Sequence, residues 1–244
     1  MKNTIEWCGY EWLTQERWGQ IHPTKPKAWY DKTAVEIRGD QLILKTHKNS
    51  KYFEDLDVTS NIGVGLVSCT TPFKYGQFEI EAKLPEGPYL WPAFWTWAFE
   101  SWPPEIDIFE AYSNKKGNYF NWGRPHELFI GKFWNCATNF HLGELPNNYD
   151  LGAQDHYWTW KDPKKNFNHY MLDWRPDRIE IYFNKKLVRS IRDKEILEVF
   201  NNTTQNVIIN NMVQKEHDGE NPTYSEFIVN YFKYTRLEDI GRYI

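Results

Sequence analysis

Cysteine is scarce: Cys8, Cys69 and Cys136 are the three in a chain of 244 residues. An odd, sparse count excludes a dense disulfide framework and leaves room for one pair, which the sequence does not assign. Three buried thiols are the simpler expectation. The CxxC and Cys/His spacings of a zinc site are missing as well. So are long apolar runs. None approaches a membrane span, and the opening MKNTIEWCGYEW lacks the apolar core of a signal peptide, so no membrane partner is expected. Action inside a cell, a leader already removed and unconventional export all fit that opening. Basic residues are not in excess, with 29 Lys and Arg against 33 Asp and Glu and a net charge of −4. That balance does not neutralise a phosphate backbone and argues against nucleic acid. Helical periodicity is nearly absent too. It is confined to RDKEILEVFNN (192–202), where Ile196, Val199 and Phe200 share a face and the Asn pair can end the turn.

Aromatic residues are abundant. They make up 18% of the chain, with 13 Trp, 15 Tyr and 15 Phe. A core rarely needs so many Trp, so some are expected to face a ligand. Flat aromatic faces suit the apolar C–H faces of sugars, although they suit core packing and nucleobases too.

Short apolar segments separated by turn signals predict strands at 41–46, 62–69, 76–84, 93–99, 127–134, 169–174, 178–184, 206–213 and 226–234, and in EIDIFEAY after Pro103–Pro104. In GQFEIEAKL, Phe78, Ile80, Ala82 and Leu84 alternate with Gln77, Glu79, Glu81 and Lys83, the pattern of a half-buried strand. Ten or more strands with one short helix predict an all-β sandwich or barrel. No repeat, low-complexity tract or Gly/Ser linker interrupts residues 1–244, so one domain is expected. The connection 144–156 is expected to be a loop on the rim of a cleft.

One strand is unusual. In SWPPEIDIFEAYS (101–113), Glu105, Asp107 and Glu110 crowd a run that otherwise reads as buried. Burying three acids is costly unless they are paired or used. Glu105 and Asp107 share a face. Glu110, five residues from Glu105, would turn away on a regular strand. One β-bulge at Ile108–Phe109 restores the face and sends all three into one cleft. Such a cluster cannot stay fully ionised, so one carboxyl keeps a proton while another stays charged. That is the pair retaining glycoside hydrolysis uses, with carboxyls about 5–5.5 Å apart. A solvated acidic face and a Ca²⁺ site are the competing readings of the spacing.

The stretches YGQFEIEAKLPEGPYLWPAFWTW and WPPEIDIFEAY, and then FNHYMLDWRPDRIEIYFNKKLV, NVIINNMV and EFIVNYFKYTRL, resemble glycoside hydrolase family 16 in its laminarinase, agarase and carrageenase branches. EIDIFE matches that family's E-x-D-x-x-E signature in the bulged form. The resemblance covers roughly residues 62–112 and 167–237. It implies a jelly-roll (concanavalin-like) sandwich of two antiparallel sheets with a concave cleft. It implies Glu105 as nucleophile, Asp107 as assisting acid and Glu110 as general acid/base. It further implies an endo-acting, retaining enzyme that cleaves β-1,3 or β-1,4 linkages in a glucan or a marine galactan and is usually extracellular. A transglycosylase and a non-catalytic carbohydrate-binding module on the same scaffold are the rival functions.

Trp91, Trp95, Trp97 and Trp102 are candidates for sugar stacking, Trp102 foremost because it lies three residues before Glu105. Phe94 and Phe99 read as core. The resemblance adds Trp174 as a cleft aromatic and Asn168 at the position of a family His, whereas His169 falls on the opposite strand face. Asn210, Arg124, His126 and Glu127 lie where cleft walls are often built. Many members bind a structural Ca²⁺ through an N-terminal acid and an Asp in the last strand. Here the last strand has Asn230 and the N-terminal match is poor. No organic cofactor is expected, and a monomer acting on a polysaccharide is.

Overall fold

The computed structural model describes residues 3–22, 27–100, 102–119, 134–143, 154–159, 162–217 and 224–241. Within them the alternation read from the sequence becomes two sheets. One carries, from edge to edge, β1 (Thr4–Trp7), β2 (Tyr10–Leu13), β7 (Leu66–Cys69), β16 (Gln205–Val213), β9 (Leu90–Ala98), β10 (Glu105–Glu110), β11 (Trp134–His141) and β12 (Gln154–Thr159). The other runs β15 (Lys186–Ile191), β14 (Arg178–Phe183), β13 (Asn168–Arg175), β8 (Gly76–Lys83), β17 (Ser225–Thr235), β5 (Gln41–Phe53), β6 (Val58–Val64) and β3 (Ala28–Tyr30), with β4 (Val35–Arg38) also on β5. The paired strands are antiparallel except β3 with β6. This is the two-sheet jelly-roll sandwich.

Period-two patterning explains how the sheets meet. On β8, Phe78, Ile80 and Ala82 are fully buried while Gln77, Glu79, Glu81 and Lys83 are partly exposed. Those inward residues pack with Leu172 and Phe227 of their own sheet and with Phe94, Ile106, Ile108, Phe109, Val207 and Ile209 of the opposite one, forming the main core. Phe109 bridges the layers, with ring centroids 4.3 Å from Tyr170 and 6.0 Å from Phe227. Each such side chain contributes roughly 1.5–3 kcal/mol on burial. The helix α1 (Lys194–Asn201) is capped by Asp193, whose carboxylate accepts from the Glu195 and Ile196 amides. It buries Leu197 and Phe200 in the core, with Ile196 and Val199 packed at its margin.

The segment read as one strand over 62–69 is split at Gly65, where a Cβ would meet the Ala34 carbonyl at 2.6 Å. The sequence reading missed β1 to β4, β12 and β15, mostly short or edge strands, and all of β11 beyond Trp134. The expected strand 127–134 lies outside the described residues apart from Trp134, as do Arg124, His126, Glu127 and residues 144–153; residues 154–156 open β12 instead of closing a loop. Cys69 is buried, but Cys8 is exposed at a turn with φ 51°, which corrects the expectation of buried thiols; both are free. Among the described residues no helix is long and apolar enough to cross a membrane.

Candidate active site

The acidic strand lies in the middle of the first sheet, between β9 and β11. Against β9, Glu105 pairs with Trp97 and Asp107 with Trp95, but Phe109 pairs with Phe94 and Glu110 with Ala93. The register slips by one between Asp107 and Phe109, and β11 shows the same slip between Asp107 and Glu110. Ile108 and Phe109 are both fully buried in the main core, so two successive side chains face inward. The bulge therefore leaves Glu105, Asp107 and Glu110 together on the opposite face, where all three line one cavity of about 600 Å³.

That cavity crosses the strands. Most of its lining comes from β7 (Leu66), β16 (Asn210, Met212), β9 (Trp91, Ala93, Trp95, Trp97), β10 and β11 (His141), five consecutive members of the sheet, and Trp18, His22, Trp102 and Tyr30 of β3 complete it. Its size falls within the range of ligand sites, roughly 300–1,000 Å³. Trp91, Trp95 and Trp97 recur every second or fourth residue of β9, so they share its cleft face. Trp97 belongs with Ile208, Leu90 and Met212 to a smaller apolar cluster, against which Trp91 and Trp95 pack.

Each acid has its own environment. Glu105 accepts from Trp102 Nε1 at 2.6 Å, and Trp102 is otherwise 54% exposed. Burial first, and the neighbouring Asp107 charge second, push the Glu105 carboxyl up to about 9. His141 and the Trp102 bond oppose that rise without cancelling it. Asp107 is 3% exposed and lies 3.4 Å from His141 Nε2, with Glu105 3.7 Å from the same nitrogen. Glu110 accepts from Tyr112 Oη at 2.6 Å and Trp91 Nε1 at 3.0 Å, both on Oε1. Trp91 and Tyr112 stack at 5.3 Å, so two packed rings fix this carboxyl's direction. Asn210 accepts from Trp95 Nε1 at 2.7 Å and donates to the Trp91 carbonyl, locking the aromatic row to β16.

The structure thus brings together Glu105, Asp107, Glu110, Trp91, Trp95, Trp97, Trp102 and Asn210. Two expected residues are elsewhere and need correcting. Trp174 is fully buried in the core and does not reach the cleft: it lies on β13 of the other sheet, 0% accessible, with its ring 5.1 Å from Tyr75. Asn168 is on the same inward face, bonded to the Asn166 carbonyl and the Asn184 amide. His169 points outward to Glu79 at 2.8 Å. Phe94 is core and Phe99 is partly exposed under the Arg17 guanidinium.

His141, Tyr112 and Tyr30 were missed. Tyr112 was legible, since period two puts it on the face of Glu110. His141 is opposite Glu105 only through the β10–β11 register, which a single sequence does not disclose. Potential ligand atoms of Glu105, Asp107 and His141 lie within 4.8 Å of one another, a spacing that could hold a cation. Asn230, at the calcium position implied by the resemblance, donates to Glu81 and accepts from Gln41.

A family model, Glycosyl hydrolases family 16, matches residues 25–231. Among curated relatives, a beta-1,3-glucan-binding protein of Penaeus monodon is 32% identical over 124 residues, 47% of this chain and 31% of that protein. A glucan endo-1,3-beta-glucosidase of Cryptopygus antarcticus is 30% identical over 132 residues, 49% of this chain and 42% of that one. The matched stretch is less than half the length of either relative. Among solved structures, the laminarinase catalytic domain of Thermotoga maritima aligns with TM-score 0.66 at 19% identity, covering 86% of this chain and 83% of that one. A LamA variant from Z. galactanivorans, solved with laminaritriose and laminaritetraose, aligns with TM-score 0.68 at 18% identity over 96% and 99%. At such identities these structures establish the shared fold.

Proposed function

From its membership of glycosyl hydrolases family 16, to which this chain belongs, we propose that it is a retaining, endo-acting β-glycosidase whose substrate is a β-1,3-glucan. The observation that carries the reading is the bulge, which puts Glu105 and Glu110 on one cleft face with Asp107 between them. In a double displacement, Glu105 attacks the anomeric carbon while Glu110 protonates the departing oxygen; Glu110 then takes a proton from the water that releases the sugar. Glu110 is built for such a role because both its donors fall on Oε1, which orients the carboxyl as a unit.

Glu105 presents a requirement. Burial leaves its proton in place at neutral pH in the empty cleft. A nucleophile must be charged, so that proton passes to Asp107, whose carboxyl lies within reach of the same His141 nitrogen. The bond from Trp102 Nε1 and the nearby His141 favour the charged Glu105 once the transfer is made. Asp107 is in this reading the proton's resting place during attack.

The glucan choice rests on cleft chemistry and on the relatives. Among the described lining residues there is no Lys or Arg to meet a sulfate, and the aromatic row suits a neutral polymer. The Cryptopygus and Thermotoga proteins bear β-1,3-glucan and laminarin names. The second reading is a non-catalytic β-1,3-glucan-binding protein, favoured by the name of the Penaeus relative. A panel of laminarin, barley glucan, agarose, porphyran and carrageenan with a reducing-sugar readout separates these. We expect release from laminarin, and Glu105→Gln is expected to lower it by roughly 10³-fold or more while leaving polymer binding largely intact. Wild-type-like hydrolysis by that variant would remove Glu105 from the mechanism. Binding without release by the unmodified protein would establish the second reading, and product analysis at high acceptor concentration distinguishes hydrolysis from transglycosylation.

A further inference from the structure

Residues 14–22 precede the stretch matched by the family model, yet they supply part of the cleft wall. Trp18 and His22 both line the cavity. The segment is pinned along its length: the Thr14 amide donates to the Asn3 carbonyl at 2.8 Å, Gly19 to Glu16 at 3.1 Å, and Tyr30 to Gln20 at 2.7 Å. Arg17 donates to the Phe99 carbonyl, and its guanidinium lies 3.8 Å over the Phe99 ring and 5.7 Å from that of Trp97.

This anchoring sets the orientation of Trp18. Its ring meets Trp97 at 5.2 Å and 86°, and His22 at 5.5 Å and 81°. Both contacts are edge-to-face, and the residue remains 41% exposed. A tryptophan held in a fixed pose at a cavity wall, with much of its surface in water, gains more from covering an apolar face than from any neighbour it has. The occupant must reach it along the cleft. Trp97, against which Trp18 packs, pairs in register with Glu105, one inter-strand step of about 4.8 Å away. Trp18 therefore stands beyond Trp97, one strand step and one ring contact away from Glu105 along the direction in which the cavity crosses the strands. On the other side of Glu105 stands Trp102, 54% exposed.

We propose that Trp18 is a stacking platform for a glucosyl ring of the bound β-glucan, contributed by a segment outside the family match, and thus a residue that determines affinity for that substrate class. The inference rests on the β-glucan reading of the cleft. A sugar presents an apolar C–H face to the indole, and covering the exposed ring returns the free energy that exposure costs.

The test uses the full chain carrying Glu105→Gln, so that binding is read without turnover, and a β-1,3-linked glucose oligosaccharide long enough to fill the cleft. By calorimetry, adding Trp18→Ala is expected to weaken binding by roughly tenfold, the size of one aromatic contact, and Trp18→Phe to restore most of the loss. A thermal midpoint equal to that of the Glu105→Gln parent shows that the fold is kept. Equal affinity with and without the Trp18 ring overturns the proposal and leaves the β-glucan reading standing. Absence of any oligosaccharide binding by the parent overturns the β-glucan reading and the proposal with it.

Discussion

Glu16 shows what a single buried side chain can impose. It is 0% accessible, and its carboxyl oxygens find no side-chain hydrogen-bond partner among the described residues. Burial pushes it from 4.5 up to about 8, and the Arg17 charge opposes this without cancelling it. In the unfolded chain it ionises near its ordinary value, so the folded protein holds the proton more tightly between those two pH values. Stability then falls as pH rises from about 4.5 to about 8 and is level above that, at a cost on the order of a few kcal/mol. A neutral isostere escapes the cost. We expect the thermal midpoint of Glu16→Gln to exceed that of the unmodified protein by a margin that widens across that window and then stays constant. A margin independent of pH would show that Glu16 is not the titrating group. Nothing in LTQERWGQ marks this glutamate as buried, because burial here is decided by the fold of the N-terminal segment over the sheet and not by any local pattern.

At the scale of the element, the bulge was legible and the register was not. The spacing of Glu105, Asp107 and Glu110 requires one extra residue if all three are to share a face, and the ladder slips at that place. Alternation likewise identified the inward set of β8 and the cleft row of β9. It could not say which of the two sheets owns the cleft. The family resemblance implies that Trp174, which closes HYMLDW, faces sugar, but β13 pairs with β8 in the opposite sheet and its inward face meets the core. His141 escaped notice for the same reason, since its value comes from the strand opposite. The loop that presents Trp102 offers a test at this scale. Gly143 has φ 74°, and a Cβ there would overlap Pro103 Cγ, so the approach of these two turns needs glycine. Gly143→Ala should displace Pro103 and with it the Trp102 bond to Glu105. A hydrogen bond to a charged group is worth about 1.5–3 kcal/mol, so kcat/KM on laminarin is expected to fall at least tenfold, and Trp102→Phe should fall by a similar amount. Kinetics of Gly143→Ala matching those of the unmodified protein would show that the two turns are not coupled.

At the scale of the whole molecule, the charge distribution discriminates among polymers. The chain carries a net charge of −4, and the cleft concentrates Glu105, Asp107 and Glu110 with no described Lys or Arg on its lining. A sulfated galactan entering this cavity brings like charge into a partly desolvated site, where repulsion is stronger than at the surface. A neutral glucan meets no such term. Screening separates the cases, because the Debye length shrinks from about 30 Å at 0.01 M to about 8 Å at 0.15 M salt. If the substrate is neutral, kcat/KM on laminarin should change by less than about twofold across that range, since no charge pair forms on binding. Any residual binding of porphyran or carrageenan should strengthen as salt rises, because salt relieves the repulsion. The opposite trend, with an anionic polymer bound best at low salt, would mean that cations from outside the described residues govern the cleft and that the glucan assignment is wrong. Initial rates on laminarin and direct binding of the sulfated polymers at the two ionic strengths decide between these outcomes, and they do so without altering a residue.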